Sequence, residues 1–111
     1  MPVLVITSPA TPDQLEQMLQ TWGVVSKVAV DVRRGILAGG GRSHSQGEEE
    51  LLAIGSRQED IWGASWIPLA REIRFESMVN LRPVDNRSME ILDAVVRDRV
   101  GEIVLSLLGH V

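Results

Sequence analysis

The chain has 111 residues, 44% of them hydrophobic and 23% charged, with a net charge of −4. That is the make-up of one compact domain, expected over residues 1–111, with a core that needs no staples. The lack of cysteine excludes disulfides, thiolate metal sites and a cysteine nucleophile, and the acidic balance argues against a broad nucleic-acid footprint.

MPVLVITSPATP lacks a basic leader and a long apolar stretch, so it reads as a strand and not a signal peptide. No apolar run approaches the roughly 18 residues of a membrane span. A cytoplasmic protein with neither nucleic-acid nor membrane partners is therefore expected.

Val3-Leu4-Val5-Ile6 reads as a buried strand. Thr11-Pro12-Asp13-Gln14 is a capping box with proline at the first helical position. Leu15, Met18, Leu19 and Trp22 follow at helical spacing, and Gly23 stops the helix. Lys27 to Arg33 alternates with period two, placing Val28, Val30 and Val32 on the core side and Ala29, Asp31 and Arg33 on the other. Arg34-Gly35 reads as a two-residue turn, with Asp31 opposite Ala38 and Val30 opposite Gly39. Small residues then floor the face that carries Asp31.

Ser45-x-x-Glu48 forms a second capping box, with Glu48–Glu50 in the first helical turn and Gly55 at the end. Glu59 to Pro68 reads as a strand with Asp60, Trp62, Ala64 and Trp66 on one face. Glu72 to Pro83 reads as a longer strand. Its core-facing set is Ile73, Phe75, Ser77, Val79 and Leu81, and its other face carries a polar row of Arg74, Glu76, Asn80 and Arg82. A last helix capped at Asn86 or Ser88 carries an apolar stripe from Ile91 to Leu108. The order is β-α-β-β-α-β-β-α. It predicts an α+β fold, a mainly antiparallel sheet of about five strands with helices packed on one face and the second face open.

The glycine-rich stretch Gly39–Arg42 matches neither common phosphate-loop pattern, and the glutamates behind it oppose a phosphate. A flexible loop is the simpler reading. His44 with Asp31 and Glu48 or Glu49 could make a carboxylate-rich metal site, but no paired-histidine spacing supports it. No metal or cofactor is assigned. No G-x-S-x-G is present. The richest feature is the polar row; if Trp62 and Trp66 share its face, that face has the composition of an interface, whereas the opposite register puts both tryptophans under a helix.

GSRQEDIWGASWIP (55–68), FESMVNLRP (75–83) and NRSMEI (86–91) together resemble a family of small bacterial proteins, common in cyanobacteria, the domain of unknown function numbered 5674. The resemblance runs over nearly the whole chain. It implies a bacterial cytoplasmic protein and no assigned activity. It also marks Asp31, His44, Gln58, Asp60, Glu76, Asn80, Arg82 and Asn86 as a polar set. The acidic run Glu48–Glu50 departs from the family pattern, which leaves the acidic partner of His44 open.

The leading expectation is a binding or regulatory module, more a binder than an enzyme, that self-associates as a homodimer or takes another protein or a small polar ligand. Its open face would use Trp62, Trp66, Arg74, Glu76, Asn80 and Arg82, with Asp31, His44, Gln58, Asp60 and Asn86 at the rim. Trp66→Ala or Arg82→Ala would then weaken association and spare the fold. The alternative is a small metal-dependent or acid/base hydrolase, which requires Asp31, His44 and Glu76 to converge in one pocket.

Overall fold

The computed structural model describes residues 3–111; Met1 and Pro2, at the start of the predicted first strand, lie outside the described residues. The elements are β1 (Leu4–Ile6), α1 (Pro12–Leu19), β2 (Ser26–Asp31), β3 (Ile36–Gly39), α2 (His44–Ala53), β4 (Ile61–Ile67), β5 (Glu72–Arg74) and α3 (Ala94–Leu108). Two 3₁₀ turns, Gln58–Asp60 and Met78–Asn80, flank β4 and follow β5. The five strands form one open antiparallel sheet in the order β1-β3-β2-β4-β5. The fold is α+β. No helix is long and apolar enough to cross a membrane among the described residues.

The helices divide between the two faces of the sheet instead of sharing one. Leu15 and Met18 of α1 and Val100, Ile103, Val104, Leu107 and Leu108 of α3 pack on Ile6, Val28, Val30, Leu37, Trp62, Ala64 and Trp66. On the other face, Leu51 of α2 packs on Ala29, Ile36, Ala38 and Ile61. The small residues expected to leave room beside Asp31 admit a helix there. A Cβ on Gly47 would lie 2.9 Å from the Ala38 carbonyl oxygen and 3.1 Å from the Ala29 Cβ.

Trp62 and Trp66 therefore belong to the helix-covered core, 7% and 0% exposed, and not to an open face with Arg74. Truncating a buried tryptophan costs about 3–5 kcal/mol, so Trp66→Ala probes the core and not an interface. Trp22 falls past the end of α1, where Gly23 turns the chain at φ +79°, and it is 47% exposed.

The β2–β3 register differs from the two-residue turn by two positions: Asp31 faces Ile36, Val30 faces Leu37 and Ala29 faces Ala38. The connection is four residues, Val32 to Gly35. Asp31 Oδ1 accepts from the Arg33 and Arg34 N–H groups at 2.9 and 3.0 Å, and Gly35 closes the turn at φ +70°. A slip of two keeps every side chain on its expected face.

Helix α2 starts two residues earlier than Ser45-x-x-Glu48 predicts, because Ser43-x-x-Gln46 is an overlapping capping signal. Ser43 Oγ accepts from the Gln46 N–H, and Gln46 Oε1 accepts from the Arg42 N–H. Glu48–Glu50 thus fall one turn inside the helix. The predicted long strand stops at Arg74, since Ser77 Oγ accepts from the Val79 N–H and turns the chain into the second 3₁₀ turn. Helix α3 likewise starts late, at Asp93, whose carboxylate caps the Val95 and Val96 N–H groups.

Candidate functional site

Helix α2 runs along β2, and its contacts fix its direction. His44 meets Ala64 and Ser65, Gly47 meets Ala29 and Ala38, and Ser56 beyond its end meets Asp31. Lys27 pairs with Ser65 across β2 and β4 and shares the α2-facing side with Ala29 and Asp31. The N-terminus of α2 thus overlies the Lys27–Ser65 end of the sheet, and the Asp31 end is one helix length away.

At the N-terminal end lies a cavity of about 400 Å³, lined by Lys27, Ser43, His44, Ser45, Ser65, Glu76, Ser77, Met78, Val79 and Met89. Its volume and mixed lining suit a small molecule. His44 Nε2 lies 2.8 Å from the Ala64 carbonyl oxygen and 3.4 Å from Ser65 Oγ. A carbonyl oxygen only accepts, so Nε2 carries the hydrogen and Nδ1 is the acceptor of the neutral ring. Burial pushes the imidazole pKa down; the Ala64 bond opposes this and Lys27 adds to it. With its Nε2 lone pair occupied by the proton, the ring does not activate Ser65 as a nucleophile.

The other predicted site residues separate into distinct groups. Asp31 is buried, and its Oδ2 accepts from Ser56 Oγ at 2.6 Å. It does not line the His44 cavity. Ten residues of α2 separate the two ends, about 15 Å at 1.5 Å per residue. Glu76 does line that cavity, so two members of the predicted trio meet and the third stands apart. Asp60 pairs with Arg33 at 3.1 Å, and Arg74 with Glu72 at 3.5 Å. No group of three histidine, aspartate or glutamate side chains is placed to hold a metal among the described residues.

Asn80, Arg82 and Asn86 hold the chain together. Asn80 is buried; its Oδ1 accepts from the Gly63 N–H at 2.7 Å, and its amide donates to the Gly63 carbonyl at 3.0 Å. One side chain thus takes the place of a neighbouring strand where β5 no longer covers β4. Arg82 continues the cover, donating to the Ile61 carbonyl at 2.9 Å and lying 3.6 Å from the centre of the Trp62 ring. Asn86 donates to the Asn80, Ser88 and Glu90 carbonyls and accepts from the Leu92 N–H. The polar row is thereby resolved into an exposed Arg74 and Glu76, a buried Asn80 and a half-buried Arg82.

A second concavity, of about 640 Å³, lies outside this clamp between Arg57, Gln58, Leu81, Arg82 and Val84. Burial raises the pKa of the nearby Glu48 carboxyl against the pull of Arg82.

Residues 4–107 match the model of a family described as Protein of unknown function (DUF5674). The chain belongs to this family. No curated protein and no solved structure matches the chain. In this DUF5674 member, the motifs that carried the resemblance are chiefly architectural. Gly55 leaves α2 at φ +95°, Ser56 anchors Asp31, Trp62 fills the core, and Gly63 leaves space for Ser77 and His44. The cavity residues Lys27, Ser65, Ser77 and Met78 were missed as site residues. Lys27 had a readable signal, since it shares its parity on β2 with Ala29 and Asp31.

Proposed function

We propose that the protein is a binding module whose ligand is a small polar molecule held in the His44 cavity. One observation carries this reading: a concave site gathers a cation on β2, a hydroxyl on β4, a neutral imidazole on α2 and a carboxylate from the segment after β5. Rigid elements place polar groups better than loops do. The separation of Asp31 from His44 gives the acid/base hydrolase no comparable support.

Thermal unfolding tests it, with a panel of acidic, basic and neutral metabolites. A ligand at a hundred times its dissociation constant stabilises by about 2.7 kcal/mol, a shift of several degrees at this size. The expected result is a shift with wild type that is lost in His44→Gln and Ser65→Ala. A shift retained in both variants would place the ligand elsewhere.

Self-association is favoured by a separate observation. The loop after β5 leaves Met78 and Val84 72% and 80% exposed, with Leu81 exposed between them. Clustered exposed apolar side chains mark interaction surfaces. On this reading the homodimer uses the loop. Light scattering should give twice the chain mass, falling to the single mass in Leu81→Lys/Val84→Lys; a single mass in wild type would contradict it.

A further inference from the structure

Lys27 lines two concavities. Beyond the His44 cavity, it shares a groove of about 600 Å³ with Gln20, Thr21, Trp22 and Arg42. The lining holds two cations and no carboxylate. Among the described residues neither Lys27 nor Arg42 has an ion-pair partner or a side-chain hydrogen bond, whereas every other arginine but Arg97 has one or the other. Two unpaired cations in one concavity go against the charge of a chain with 15 acidic and 11 basic residues.

The Lys27 head group and the Arg42 backbone are positioned by their surroundings. The Lys27 ammonium lies 4.7 Å from the centre of the Trp22 ring. The ring attracts the charge but supplies no oxygen or nitrogen acceptor, so the three N–H donors remain for another partner. The Arg42 backbone is fixed by Gln46 at 2.6 Å, and Thr21 Oγ1 donates to the Gly40 carbonyl at 3.0 Å. That bond ties the segment after α1 to the approach to α2. The first turn of α2 carries no acidic side chain.

Resting on the binding-module reading, we propose that the ligand carries an oxyanion, a phosphate or carboxylate group, held between Lys27 and Arg42. Its remainder reaches past Lys27 into the His44 cavity. There Glu76 and the imidazole Nδ1 accept hydrogen bonds from a hydroxyl or amino group. The arginine fork suits either oxyanion, and the lysine adds a point charge.

Trp22 is the one exposed tryptophan of three, so its fluorescence reports on the groove. Wild type and Lys27→Gln/Arg42→Gln are titrated with inorganic phosphate, citrate and glucose, following fluorescence and thermal unfolding together. At least one anion should perturb Trp22 and raise the unfolding midpoint, with affinity falling as KCl rises. The double variant should bind it about tenfold or more weakly, having lost charge-assisted hydrogen bonds, yet unfold normally without ligand. The stronger anion distinguishes phosphate from carboxylate. Equal responses in the two proteins would overturn the oxyanion site. A response to glucose alone would overturn it and leave the binding module standing, whereas silence here and across the metabolite panel would remove both.

Discussion

Asn80 shows how much one side chain can organise. Its amide satisfies both backbone groups of Gly63 and donates to the Met89 carbonyl at 3.0 Å. A buried donor or acceptor left without a partner costs about 1–3 kcal/mol. Asn80→Ala should therefore lower stability by about 2–4 kcal/mol in urea unfolding. A loss under about 0.5 kcal/mol, the usual range for a surface change, would show that the clamp is dispensable. His44 makes a second residue-scale prediction, with a sign. Burial depresses its pKa below the ordinary imidazole value of about 6.5. Below that pH the unfolded ring binds more protons than the folded one, so stability falls as pH drops through 6.5 and further. The slope from this group is at most about 1.4 kcal/mol per pH unit. His44→Gln should flatten the stability profile between about pH 7.5 and 5.5; parallel profiles would contradict the buried neutral ring.

At the scale of elements, α2 decides where the site lies, and Gly47 decides how close α2 comes. Alanine is favoured over glycine in a helix by about 1 kcal/mol. Here the new Cβ would press on the Ala38 backbone oxygen, and overpacking costs about 1–3 kcal/mol. Gly47→Ala should be neutral to destabilising in denaturant unfolding, and Gly47→Val strongly destabilising. A clear gain in stability with alanine would mean that the helix stands off the sheet. The start of α2 also shows where reading a sequence reaches its limit. Ser43-x-x-Gln46 and Ser45-x-x-Glu48 are equally good local caps, and the local pattern does not choose between them. The His44 ring is placed on the Ala64 carbonyl when the helix starts at the earlier one. In contrast, the Thr11 cap has no such rival and forms as predicted, with both capping-box bonds in place.

Across the whole molecule, the five antiparallel strands and the faces of β2 were legible because strand alternation has a period of two. Strand order and the partition of helices were not, because they depend on contacts distant in the chain. The polar row misled for a related reason. Alternation from Arg74 to Arg82 imitates a strand, but Ser77 bends the chain and Asn80 turns inward to complete β4. His44 and Glu76 were legible as candidates by residue type. Their cavity was not, since Lys27, Ser65 and Met78 come from three separate segments. The ligand is expected at the head of α2 and not in the outer groove beside Arg82. Amide chemical-shift mapping of the full chain tests it most directly, using whichever panel compound raises the unfolding midpoint most. The largest changes are expected at Lys27, Arg42 to Gln46, and Ser65. Changes centred on Arg57, Leu81 and Val84 would contradict it.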